Sequence, residues 1–197
     1  MSFRDGVVSE ADLLEETLRR SPLIQDVLLK APGLGQRDWY LGAGCIAGTV
    51  WNVLHGFDAN AHIKDCDLVY FDADDLSYEA EDVSVRHAAS MFAHLPVPVE
   101  VRNQARVHLW YERRFGYPID PYRSLEHAID CWPTTATSVG VRREPDGRLL
   151  VYATYGLDDL FRLIVRPNKK QVTPEIYRAK AERWRACWPK LRILPWE

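Results

Sequence analysis

The chain is short of three things: cysteines at recognisable spacings, long apolar runs and net charge. Its four cysteines, Cys45, Cys66, Cys131 and Cys187, are scattered irregularly. They form neither a CxxC zinc site nor the framework of a small secreted domain, so free thiols and a cytoplasmic chain are expected. The six histidines show no HExxH and no tight ligand spacing. No apolar run approaches the roughly 18 residues of a membrane span, which argues against membrane partners. Met1 to Ala11 already carries Arg4, Asp5 and Glu10, so a secretory signal core is absent there. The formal charge of −3, from 25 basic and 28 acidic residues, excludes a protein that coats nucleic acid or anionic lipid by bulk attraction.

What remains is ordinary in composition, with 47% hydrophobic, 27% charged and 11% aromatic residues over 197 positions. A chain near this length hides roughly 70% of its unfolded surface without staples. One domain over 1–197 is expected, because no repeat, low-complexity tract or long linker interrupts it. The small net charge is nevertheless a sum of opposites. Asp58 to Asp82 holds nine acidic residues against Lys64, whereas Arg162 to Arg192 holds ten basic residues against Glu175 and Glu182. An acidic section suited to metal ions thus accompanies a basic section suited to phosphates, and the balance does not exclude a polyanionic ligand.

Hydrophobic spacing predicts helix from about Ser9 to Leu34, split at Ser21-Pro22, where a capping serine precedes a first-turn proline. A strand at Asp38–Leu41 should run through a glycine-rich turn into a helix extending to Leu54. A second strand covers Asp65–Phe71, and Asp74-Asp75 is expected to open a helix ending near His94. Val99 to Leu109 alternates as one strand, with Glu100, Arg102, Gln104, Arg106 and His108 on a shared face. Ser124–Cys131 reads as helix, and Thr135–Arg142 and Leu149–Thr154 as a hairpin around Glu144-Pro145-Asp146-Gly147. Helices follow at Leu157–Val165 and Pro174–Trp188. The predicted class is α/β (α+β), with N-terminal helices over about 1–35, a catalytic core over about 38–110 and a helical C-terminal section over about 156–197.

Asp65 and Asp67, two apart on a strand, project to one side, where paired ionised carboxylates require a cation. Magnesium takes one or two carboxylates plus substrate phosphate oxygens, which matches that hard, incomplete site. Glu100, on the strand with the clearest polar face, is the candidate third carboxylate of a two-metal clamp. Upstream, Gly42-Ala43-Gly44-Cys45 enters a helix N-terminus, whose free N–H groups and dipole hold phosphate. Arg102 and Arg106 are candidates for stabilising negative charge beside Glu100.

In this order of glycine turn, aspartate pair and later carboxylate, the chain resembles the DNA polymerase beta-like nucleotidyltransferase superfamily. A narrower resemblance, over about Asp38 to Asn168, is to a bacterial nucleotidyltransferase family of undefined substrate. It rests on Leu41-Gly42-Ala43-Gly44-Cys45-Ile46, Val50-Trp51-Asn52, Asp65-Cys66-Asp67-Leu68-Val69-Tyr70-Phe71-Asp72, the stretch Glu100 to Trp110, and Gly156-Leu157-Asp158-Asp159-Leu160-Phe161. The resemblance implies a small mixed sheet flanked by helices. It implies Asp65, Asp67 and Glu100 as ligands of Mg2+ or Mn2+, and Gly44 and Cys45 as contacts of the nucleotide's terminal phosphates. The implied reaction moves a nucleotidyl group from a nucleoside triphosphate to a hydroxyl acceptor, whether RNA, protein or small molecule, with loss of pyrophosphate. Cys45 departs from the Gly or Ser usual in that turn, and His55 to His62 forms an extra loop.

Two rival readings use the same residues. A non-catalytic nucleotide or nucleic-acid binding module fits Cys45 and the tryptophan-bearing basic C-terminus, where Trp184, Trp188 and Trp196 either stack bases or fill a core. A loosened dinucleotide fingerprint, Gly42-x-Gly44-x-x-x-Gly48 with Asp65 about 20 residues on, suggests an oxidoreductase but leaves the second aspartate unexplained.

Overall fold

A computed structural model describes residues 9–197; the part of the polar opening stretch before Ser9 lies outside them. Ser9 caps α1 (Glu10–Arg19) by accepting the Asp12 N–H at 3.1 Å, while the Asp12 carboxylate accepts the Ser9 N–H. Ser21 caps α2 (Pro22–Lys30) in the same way, with Pro22 in the first turn, which places the break where the sequence predicts it. Then follow β1 (Trp39–Gly42), α3 (Gly44–His55), β2 (Cys66–Tyr70), α4 (Tyr78–Met91) and β3 (Val99–Asn103). The second half holds α5 (His108–Phe115), α6 (Leu125–Asp130), the hairpin β4 (Val139–Arg143) and β5 (Leu149–Ala153), α7 (Asp158–Phe161), β6 (Ile164–Val165), α8 (Pro174–Cys187) and β7 (Arg192–Ile193).

The five-stranded sheet has the order β3-β2-β1-β4-β5, parallel only between β2 and β3. Its register sorts the residues onto two faces. Leu41, Leu68, Val101 and Val141 share one face and are fully buried in a continuous apolar cluster that runs from Leu14 to Leu191. Gly42, Asp67 and Glu100 align on the other face, where Tyr40 and Val69 are covered by Leu125 and Ile129 of α6. Side chains alternate along each strand, so one apolar row fixes the opposite row toward the site. Because β1 is antiparallel to both neighbours, the doubly wound parallel sheet of the dinucleotide reading is excluded.

Four expected elements differ. The strand from Val99 ends at Asn103 instead of Leu109, giving way to a tight 3-10 turn at Gln104–Arg106 and then α5. Asn103 causes the turn. Its Oδ1 accepts the N–H groups of Asp72 and Ala105 at 3.0 and 3.1 Å, and its Nδ2 donates to the Asp72 carbonyl at 2.8 Å. Helix α4 begins at Tyr78, capped by Ser77, because Asp72 and Asp75 accept the N–H groups of Asp74 and Ser77 and hold the preceding segment in turns. The strand expected from Thr135 starts at Val139, after a short 3-10 turn. The helix expected over Leu157–Val165 is only α7: Leu163 takes φ +59°, and Ile164–Val165 pairs in parallel with β7. The C-terminal section is therefore not purely helical.

Candidate active site

The approach from β1 into α3 is built by three small residues with different reasons. A Cβ at Gly42 would stand 2.6 Å from the Trp132 ring and 2.9 Å from the Val139 carbonyl, so only glycine fits. Ala43 takes φ 54° and ψ −122°, a left-handed conformation costly for an L-residue, and donates its N–H to the Val139 carbonyl at 3.1 Å. A Cβ at Gly44 would meet nothing within 4 Å. The start of α3 is thus open to a ligand, with first-turn N–H groups that lack intrahelical partners. Cys45 contributes no side chain there. Its thiol is buried, donates to the Gly42 carbonyl at 3.3 Å, and is pushed well up by that burial and by Cys66.

Asp67 and Glu100 are register partners on the parallel strands β2 and β3. Asp65 lies two residues before Asp67, just outside β2. Burial first, then the charges of Asp65 and Glu100, push the Asp67 carboxyl up to about 6, against the opposing pull of Lys180 and Arg102. Three carboxylates therefore interact here, but they do not share one wall. Asp67 and Glu100 line a cleft of about 300 Å³ together with Ala43. Asp65 lines a recess of about 60 Å³ together with Gly44, Lys64 and Arg183. Among the described residues, no three His, Cys, Asp or Glu side chains form a ready-made metal centre.

The two arginines expected beside Glu100 separate. Arg102 stays on its face, with a guanidinium nitrogen 3.4 Å from the Glu100 carboxylate. Arg106 is carried away by the turn after Asn103, buried in an ion pair with Glu81 and donating through Nε to the Leu76 carbonyl at 2.9 Å. His108, expected on the same face, opens α5, and its Nδ1 is buried with no partner. Trp184 and Trp188 are core residues that pack edge-on against Trp51, and Trp188 donates to Asn52 at 2.7 Å.

Lys180 was not legible as a site residue. In the sequence it is one of several cations on an amphipathic helix; in the fold it lines the cleft beside Asp67. Burial and Arg183 pull its ammonium down, while Asp67 and Asp65 oppose that. Its helical spacing from Tyr177, Ala181 and Trp184, all buried, was the available signal.

Residues 30–193 match the model of a family described as Nucleotidyltransferase. The chain belongs to that family. A nucleotidyltransferase is an enzyme, and nucleotidyl transfer is the general chemistry of this one. Over 97% of its length, the protein is similar to a solved structure described as revealing a CCA-adding enzyme head domain, at 25% identity, TM-score 0.77 and 98% coverage of that chain. A second match, a tRNA-processing enzyme in an apo form, has 19% identity and TM-score 0.45, over 97% of this nucleotidyltransferase and 46% of that chain. No curated protein sequence matches significantly. No helix among the described residues is long and apolar enough to cross a membrane.

Proposed function

We propose that this nucleotidyltransferase moves a nucleotidyl group from a nucleoside triphosphate to a hydroxyl of an RNA, protein or small-molecule acceptor. The observation that carries this reading is the pairing of Asp67 and Glu100 in register on β2 and β3, with Asp65 two residues away and the open N-terminus of α3 beside them. A carboxylate so placed needs a cation. The donor set is hard oxygen, incomplete without further ligands, which fits Mg2+ or Mn2+ completed by substrate phosphates. Asp65, Asp67 and Glu100 would hold it, and a bound divalent ion would neutralise phosphate charge and lower the pKa of the attacking hydroxyl.

The rest falls to the chain's own groups. The backbone N–H groups at Gly44 and Cys45 bind the terminal phosphates, with Lys64 and Arg183 adding positive charge on that side. Arg102 and Lys180 stabilise charge developing in the cleft. Arg106, tied to Glu81, supports the strand end rather than the phosphates.

The test supplies each of the four triphosphates, labelled at the alpha position, with Mg2+ and, separately, RNA, protein and small-molecule fractions. Transfer to one fraction, with release of pyrophosphate and loss of transfer in Asp67→Asn, is expected. No transfer to any fraction and no metal-dependent triphosphate binding would overturn the proposal.

A further inference from the structure

The cleft that holds Asp67 and Glu100 is lined by two chemically different sets of side chains. Arg102 and Lys180 join the carboxylates as its charged lining, and its aromatic lining includes Trp110, Trp132, Tyr111 and Phe115. Such a shape suits a ligand with a charged group attached to a flat, uncharged ring system. Its volume, about 300 Å³, is that of a site for one small molecule.

One side chain in this cleft is unlike the others. Gln104 is only 7% exposed, yet no hydrogen bond joins its side-chain amide to any described residue. Among the described residues, the sealed polar side-chain atoms without partners are Trp51 Nε1 and His108 Nδ1; the Gln104 amide is therefore not sealed, and Gln104 lines the cleft. Gln171, on the same walls, is by contrast satisfied, donating to the Tyr122 hydroxyl at 2.7 Å. A nearly buried amide costs stability unless something pairs with it. It offers one acceptor and two donors in a plane, the set that pairs with the edge of a heterocycle.

We propose that this cleft takes the nucleobase of the donor triphosphate and that Gln104 reads its edge, making Gln104 the specificity-determining residue. This rests on the nucleotidyl-transfer reading above. The triphosphate would extend from the α3 start past Asp67, which leaves its nucleoside against the aromatic lining of the cleft. Stacking on Trp110 and Trp132 accepts any base, because every base has a π-face; discrimination needs a hydrogen-bonding edge.

Binding of ATP, CTP, GTP and UTP with Mg2+, followed by quenching of tryptophan fluorescence and by calorimetry, tests this, with inorganic tripolyphosphate as the probe that lacks a base. The wild type should prefer one base by about 10- to 100-fold, the range for one base-edge contact, and bind tripolyphosphate more weakly than any nucleotide. Gln104→Met, which keeps chain length and breaks no hydrogen bond, should compress the preference to about threefold or less and leave tripolyphosphate binding unchanged. Gln104→Glu, which exchanges the donor for an acceptor, should reorder the bases and serves if the methionine variant does not fold. Equal affinity for four nucleotides and tripolyphosphate overturns the cleft assignment alone, as does a wild-type preference that survives Gln104→Met. Preference for the terminal base of an RNA acceptor, with indifference to the donor base, also overturns it. A wild type that binds no triphosphate overturns the nucleotidyl-transfer reading and this one with it.

Discussion

Asp67 and Glu100 stand side by side in register on the two parallel strands of an otherwise antiparallel sheet, both on the face opposite the main core. Adjacent strands lie only about 4.8 Å apart, so their carboxylates share an environment. That arrangement costs the folded protein stability when both are ionised.

The cost has a pH signature. The Asp67 carboxyl is raised from 3.8 to about 6 in the folded chain. Its protonated form favours folding, so its contribution is full below about pH 4 and is lost as the pH rises through about 6; the whole change is roughly 3 kcal/mol. Asp67→Asn should therefore raise the unfolding free energy of the metal-free protein by about 2–3 kcal/mol at pH 8, leave it little changed at pH 4, and abolish transfer. Urea unfolding at the two pH values checks it; equal effects at both would contradict the assignment.

Arg102 and Arg106 should separate experimentally. The Arg106 side chain is 10% exposed and paired with Glu81, whose other oxygen accepts the Asn103 N–H at 2.8 Å; the Arg102 side chain is 46% exposed. Arg106→Ala leaves a buried carboxylate unpaired, which should cost about 3–5 kcal/mol. Arg102→Ala should change stability by less than about 0.5 kcal/mol and lower kcat/KM about 10- to 100-fold. Thermal unfolding and steady-state kinetics of the pair decide between the roles.

The glycine turn yields a third contrast. Gly42→Ala drives a methyl into Trp132 and the Val139 carbonyl and should destabilise the fold by about 1–3 kcal/mol. Gly44→Ala meets open space at an ordinary backbone angle, so the fold should hold to within about 1 kcal/mol while triphosphate affinity falls at least about tenfold. Ala43→Gly removes a left-handed alanine and should stabilise by about 1 kcal/mol. Denaturant unfolding and triphosphate titration of the three variants provide the check.

Much of the site was legible because it depends on local pattern. The glycine turn marked the start of α3, and alternation put Asp67 and Glu100 on strands, whereas Asp65, expected beside Asp67, lies just outside β2 and lines a separate recess. Reading Arg106 and His108 onto the same face failed for a specific reason: alternation in sequence continues past Asn103, but the Asn103 side chain captures Asp72 and Ala105 and ends the strand. Lys180 was hidden because its helical spacing from buried Tyr177, Ala181 and Trp184 does not say which strand that face meets, and Gln104, though placed on the face of Glu100, carried no local sign of a role.

The sequence by itself determined the two faces of the sheet, the caps at Ser9 and Ser21, and the order of turn, aspartate pair and later carboxylate, since helix and strand periodicities and capping are local effects. Tertiary structure alone decided that β2 and β3 run parallel so that Glu100 meets Asp67, that Arg106 belongs to Glu81, and that a lysine from residue 180 faces an aspartate at residue 67. Those relations join segments distant along the chain. They arise from which apolar faces are buried together, a property of the whole core rather than of any stretch of it.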